Sequence, residues 1–128
     1  MANEITVRAQ LSITKSGTTA SGDTTDTIDL TGNGKYSNVQ TIGTSEEIIS
    51  FPADLVTEGV GYIWLKNLDA TNYVEIFQNI TATRHLFAKL KAGEVMVWRC
   101  PKAATNDPDI YATANTASIA LQVVASGT

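Results

Sequence analysis

The stretch that decides the fold is GYIWLKNLDATNYVEIFQNITATRHLFAKLKAGEVMVWR, residues 61–99. Four of its segments are rich in aromatic and β-branched residues, which fill a half-buried pleated surface. These segments are residues 61–67, 73–77, 86–90 and 95–99. The links between them contain Asn, Asp, Thr or Gly, which favour turns. We therefore predict four consecutive strands at the centre of a β-sandwich.

The N-terminal segment ITVRAQLSITK, residues 5–15, alternates between apolar odd positions and polar even positions up to its final lysine. A period of two residues is typical of a strand with one solvated face. We interpret this segment as an ordinary sheet strand. The alternative, which alternation alone leaves open, is that residues 1–15 form an N-terminal strand or arm that engages a neighbouring subunit.

The rest of the chain reads as short strands between turns. Residues 16–25 are Gly, Ser, Thr, Ala and Asp and are predicted as a loop, and residues 52–56 as one helical turn after Pro52. Asn33-Gly34 is a hairpin signal that favours pairing of the strands on either side of it. Further strands are predicted at residues 26–30, 36–42, 46–51, 110–114 and 118–124.

The strand count, about eight to ten, predicts an all-β fold: an antiparallel β-sandwich of the jelly-roll-like kind. No composition shift or internal repeat marks a boundary, so we predict a single domain over residues 1–128. A chain of this length buries enough surface for one core without disulfides.

Composition narrows the classes of function. The net charge is −4 and the pI about 4.8, with no basic run, which argues against nucleic-acid binding. The longest apolar runs are far shorter than a membrane span, and the polar N-terminus predicts no signal peptide. A single cysteine, Cys100, permits no intrachain disulfide and suits a reducing compartment.

Candidate catalytic and metal-binding residues are few. His85 is the one histidine, and a general base also needs a nucleophile and an orienting group. Cys100 precedes a proline and is interpreted as a small buried hydrophobe. The acidic clusters, residues 23–29 and 107–109, lack calcium-loop spacing and are interpreted as solvated loops. We predict no enzymatic activity, no metal site and no cofactor.

Four aromatic residues of the central block admit two readings: Trp64, Trp98, Tyr62 and Tyr73. They would form a sugar-stacking platform if they shared an exposed surface. We favour core packing for Trp64 and Trp98, because both lie within hydrophobic strands and large aromatic side chains dominate core burial.

The motifs of the second half of the chain resemble those of small virion proteins of tailed bacteriophages. The shared pattern is a strand ending in KNL, then a turn and NYVEI, within residues 62–76. It continues with KLKAGE at residues 89–94 and IYATA at residues 110–114, before a β-rich C-terminus. The resemblance covers residues 61–124, half of the chain.

The resemblance implies a jelly-roll structural protein of the capsid cement or decoration type. Such proteins bind the assembled shell of major capsid protein and are often homotrimers on the capsid surface, made in the host cytoplasm. They have no catalytic residues to carry over. The alternative is a tail or receptor-binding module of the virion that binds carbohydrate.

Overall fold

The chain divides into two compact units, Met1–Thr31 and Gly32–Thr128. The computed structural model describes residues 4–30, 34–80, 83–100 and 110–127. The all-β prediction is confirmed, because the only helix in these ranges is the six-residue α1, Ala53–Glu58. No helix among them is long and apolar enough to cross a membrane.

The first unit is a two-stranded antiparallel hairpin. β1, Ile5–Lys15, pairs with β2, Thr18–Ile28, in an unbroken register from Ile5 opposite Ile28 to Lys15 opposite Thr18. The two loop residues have positive φ, 54° at Ser16 and 77° at Gly17. Positive φ at both central residues is typical of the type I′ turn, whose twist matches that of the flanking strands.

The prediction of a loop over residues 16–25 was wrong, since most of them lie in β2. The segment TTASGDTTDTI has no apolar periodicity, which is why it read as a loop. Five of its eleven residues are threonine, a β-branched residue that favours extended backbone. Backbone pairing with β1 then holds the segment in a strand.

The pairing predicted across Asn33-Gly34 was also wrong. β3, Lys35–Ile42, pairs with the last strand, β10, Ile119–Gly127, and β2 pairs with β1. The local turn signal at Asn33-Gly34 therefore does not determine which strands pair. β3 pairs instead with the distant β10, whose apolar residues cover one face of the sheet. Asn33 itself lies outside the described residues.

Within residues 34–80, 83–100 and 110–127, the second unit contains eight strands in two antiparallel four-stranded sheets. Its remaining strands are β4, Glu47–Ile48; β5, Val60–Asn67; β6, Val74–Ile80; β7, Thr83–Leu90; β8, Val95–Arg99; and β9, Ile110–Ala114. The first sheet has the order β3-β10-β5-β8 and the second the order β4-β9-β6-β7. Numbered within the unit, these orders are 1-8-3-6 and 2-7-4-5.

One buried cluster joins the two sheets into a sandwich. Ile63 and Leu65 of β5 and Leu121 of β10 contribute to it from the first sheet, and Ile76 and Ile110 contribute from the second. β5 and β10 alternate between buried and partly exposed residues along their length. This alternation gives each strand one face toward the core and one toward solvent.

Candidate functional site

The two candidate nucleophile and base residues have different surroundings. His85 is exposed on β7, opposite Gln78 of β6. Cys100 is buried in the core cluster, and its backbone N–H donates to the carbonyl oxygen of Gly61 at 2.7 Å. The reading of Cys100 as a small buried hydrophobe is confirmed.

The acidic residues of the hairpin lie on a strand and not in a loop. Asp23 of β2 forms an ion pair with Arg8 of β1, at 3.0 Å from Nη2 to Oδ2. The Oδ1 atom of Asp26 accepts from the backbone N–H of Thr27. Within the ranges that the structure describes, no group of three or more His, Cys, Asp or Glu residues comes together. Asp107 and Asp109 lie outside those ranges.

The four candidate aromatic residues do not form one platform. Trp98 of β8 faces inward, opposite Ile63 of β5, and packs against the core cluster, as predicted. Trp64 lies on the opposite, outer face of the same sheet and is only partly buried, so its placement in the core was wrong. Tyr62 shares that outer face with Trp64, whereas Tyr73 lies before β6 under the Lys89 ammonium.

A cavity of about 340 Å³ opens between the free edges of the two sheets, β7 and β8. Its apolar lining includes Phe87 and Trp98, whose rings meet edge to face with centroids 5.5 Å apart. Gln78, His85 and Arg99 place an amide, an imidazole and a guanidinium around it. An aromatic wall with a few polar groups is a common composition for a small-ligand site. Phe87 was not among the predicted site residues, because only the pairing of distant strands brings it to Trp98.

A second surface is the outer face of the first sheet, hereafter the outer face, formed by the strand residues that point away from the core. It comprises Lys35, Ser37, Val39 and Thr41 on β3; Ala120, Gln122, Val124 and Ser126 on β10; Tyr62, Trp64 and Lys66 on β5; and Val95, Val97 and Arg99 on β8. Three of these residues are cations and none carries a carboxylate.

The centre of the outer face is apolar. Cross-strand pairing places Trp64 between Val124 and Val97 in one row. Val39 and Val95 lie at the two ends of the next row, with Gln122 and Lys66 between them, and are about half exposed, 51% and 52%. A contiguous group of exposed apolar residues with a polar rim is typical of an interaction site.

A third surface belongs to the hairpin. Pairing of β1 with β2 gathers the apolar odd residues of β1 on one face, where Leu11 and Ile13 are 67% and 56% exposed. The opposite face carries Thr, Ser, Gln and the Arg8–Asp23 ion pair. The hairpin is therefore amphipathic, as the alternation of residues 5–15 predicted.

The KNL turn after β5 is built around a buried amide. The Nδ2 atom of Asn67 donates to the carbonyl oxygens of Asn72 and Leu90, at 2.8 and 3.1 Å, and its Oδ1 accepts from the Asp69 N–H. The Asp69 carboxylate in turn accepts from the N–H groups of Asn72 and Thr71. These two donors lower the pKa of Asp69 below its usual range. The motif is explained as a structural turn between β5 and β6.

Comparison of the chain with protein-family profiles, with curated proteins and with solved structures found no match.

Proposed function

We propose that this chain is a non-enzymatic structural protein of a bacteriophage virion, of the capsid cement type, which binds and stabilises an assembled shell of major capsid protein. The observation that carries the proposal is the pair of exposed apolar surfaces, one on the hairpin and one on the sandwich. A protein that holds neighbouring subunits together needs more than one adhesive surface.

The strand order supports the jelly-roll part of this proposal. In the second unit the first strand pairs with the last, and the second with the last but one. This nesting of strands across two sheets is the arrangement expected of a double Greek key. The KNL, KLKAGE and IYATA motifs fall at the end of β5, at the turn before β8 and on β9.

The hairpin supports the proposal that the protein forms a homo-oligomer. A two-stranded hairpin is marginally stable alone and gains stability when its apolar face is covered. Three copies around a three-fold axis would bring the Leu11 and Ile13 faces together, and cyclic symmetry is the usual arrangement of homo-oligomers. We therefore propose a homotrimer joined through the hairpins, with its place on the capsid surface.

The test combines sedimentation velocity with co-sedimentation. The purified protein is expected to sediment as a trimer and to pellet with assembled shells of the virus that encodes it, with saturable stoichiometry. Dissociated capsid subunits serve as the control and are expected to bind more weakly. A monomer that stays in the supernatant with assembled shells would contradict the proposal.

The cavity between β7 and β8 favours a second candidate function, a carbohydrate-binding module of the virion tail or receptor-binding apparatus. Sugars stack on aromatic side chains, and Phe87 with Trp98 supplies such a wall. A glycan array with Phe87→Ala would test it, with Leu68→Ala as the control because both side chains are 44% exposed. Glycan binding lost only in Phe87→Ala supports this function, and an array without signal for the unmodified protein excludes it.

A further inference from the structure

We propose that the outer face of the first sheet is the surface that docks on the capsid shell, and that the shell presents to it an apolar patch bordered by carboxylates. This inference rests on the proposed function and names the face that would make the contact. It follows from the packing, the charge and the strand pairing of that face.

The apolar centre has the composition of an interface core. Trp64, half-buried between Val97 and Val124, provides a large rigid side chain at the middle of the sheet. Tryptophan is enriched among the residues that dominate binding energy at protein interfaces. Val95 and Val124 beside it are 52% and 37% exposed, so apolar area remains to be buried by a partner.

The rim of the outer face is cationic. Lys35 and Arg99 lie on the edge strands β3 and β8, at the two ends of the row on one side of Trp64. Lys66 lies on β5 in the row on the other side, so the cations flank the row that holds Trp64. The Arg99 guanidinium lies 5.4 Å from the Tyr62 ring, which holds it over the sheet. The chain as a whole has a net charge of −4, so this face has the opposite sign to the molecule.

The second sheet provides a contrast. On its outer side Arg84 forms ion pairs with Glu75 and Glu46, at 2.8 and 3.8 Å. The same guanidinium lies 4.0 Å from the Phe77 ring and helps to bury it. Charges of both signs pair there and Phe77 is covered, although Leu86 opposite it is 53% exposed. The outer face of the first sheet differs because its charged residues are all cations.

Charge complementarity then defines the partner. Matched potentials across an interface speed association and select the partner. A cationic rim around an apolar centre fits a protein surface with exposed apolar side chains and Asp or Glu at its border. We assign that surface to the major capsid subunits at the site where the cement protein binds.

The first test compares two variants matched for exposure. Val95→Asp places a carboxylate on the outer face, and Leu86→Asp places one on β7 of the other sheet, where the side chain is 53% exposed. In co-sedimentation with assembled shells, Val95→Asp is expected to raise the Kd at least about tenfold. Leu86→Asp is expected to leave the Kd within about twofold of the unmodified protein.

The second test reverses a charge on each sheet. Lys66→Glu is expected to weaken shell binding and to reduce its dependence on salt, because one attractive charge pair is lost. Lys89→Glu, on the second sheet, is the matched control and is expected to retain binding. Far-UV circular dichroism and thermal melts of all four variants confirm that each one folds.

The outcomes separate this inference from the proposed function. If the unmodified protein does not bind shells, the proposed function fails. If it binds and the Val95→Asp and Lys66→Glu variants bind equally well while folded, the docking face assigned here is wrong and the function stands. If Leu86→Asp and Lys89→Glu lose binding while Val95→Asp and Lys66→Glu keep it, the contact lies on the second sheet and the inference is overturned.

Discussion

Asn67, the last residue of β5, forms hydrogen bonds through both its side chain and its backbone. It is fully buried, and its amide satisfies two carbonyl oxygens and one N–H, while its backbone pairs with Glu94 and Gly93. One residue thereby fixes both turns: its side chain holds the KNL turn, and its backbone holds the turn before β8.

Replacing this amide by a carboxylate tests its role. Asn67→Asp removes both Nδ2 donors and leaves two buried carbonyl oxygens facing a carboxylate. We expect the free energy of unfolding to fall by about 2–4 kcal/mol, measured by urea denaturation. Asn38→Asp is the control, because Asn38 is exposed and is expected to change stability by about 0.5 kcal/mol or less. Equal effects of the two substitutions would contradict this role.

Asp69 gives the turn a dependence on pH. Because the N–H groups of Asn72 and Thr71 lower its folded-state pKa, the carboxylate stabilises the fold at neutral pH. That contribution is complete above the unfolded pKa, about 4, and is lost as the pH falls through the lower folded value. The stability difference between the unmodified protein and Asp69→Ala is therefore expected to shrink below about pH 4. A difference that is constant from pH 7 to pH 2 would contradict the assignment.

At the scale of elements, close approach between the start of β5 and the end of β10 demands a glycine. A Cβ atom at Gly61 would collide with the backbone carbonyl of Gly127, whose N–H donates to the carbonyl oxygen of Gly34 at 2.8 Å. Gly61→Ala is expected to lower stability by about 1–3 kcal/mol, the range for overpacked sites, as read from thermal and urea unfolding. Gly43→Ala is expected to lower stability by a smaller amount, because the Cβ atom there meets the flexible end of the Glu47 side chain. A larger loss of stability in Gly43→Ala than in Gly61→Ala would contradict this, because it would mean that β10 can shift to make room for the Cβ atom without loss of stability.

The apolar face of the hairpin can be tested directly as the contact between subunits. Leu11→Asp places a charge on its apolar face, and Ser12→Asp places the same charge on the polar face one residue away. We expect Leu11→Asp to dissociate the proposed trimer to monomers in sedimentation velocity, while Ser12→Asp leaves the oligomer intact. Retention of the oligomer in Leu11→Asp would show that subunits associate through another surface.

The elements differ in how much of them the sequence could predict. Strands with their own periodicity or aromatic residues, such as β1, β5, β8 and β9, were predicted within one residue of their observed ends. Only the last three residues of β2 fell within a predicted strand, because pairing with β1, and not the pattern of its own sequence, makes the rest of it a strand. β4 is only two residues long, where a strand over residues 46–51 was predicted.

The candidate surfaces were harder to predict for a topological reason. The outer face depends on β10 lying between β3 and β5, which is a pairing of residues more than fifty positions apart. No local pattern carries that information, so Phe87 was not connected to Trp98. Trp64 was assigned to the core because it lies within a hydrophobic strand, although it alternates with the buried Ile63 and Leu65. The hairpin face, by contrast, follows from the alternation of one continuous segment.

At the scale of the whole molecule, the division into two units has a testable consequence. Both sheets and the buried cluster lie within Gly32–Thr128, so this unit holds a complete core of its own. A chain lacking residues 1–31 is expected to unfold cooperatively, with a Tm within a few degrees of the full chain, and to sediment as a monomer. A truncated chain without a cooperative transition would show that the sandwich depends on the hairpin.

We propose that the chain is an adhesive β-protein that binds a capsid shell through the outer face of its first sheet. The most direct measurement is a cryo-electron microscopy reconstruction of shells incubated with the purified protein. We predict added density where capsomers meet, with the sheet β3-β10-β5-β8 against the shell and Trp64 at the contact. Bare shells at saturating protein, or density that contacts the shell through the second sheet, would contradict it.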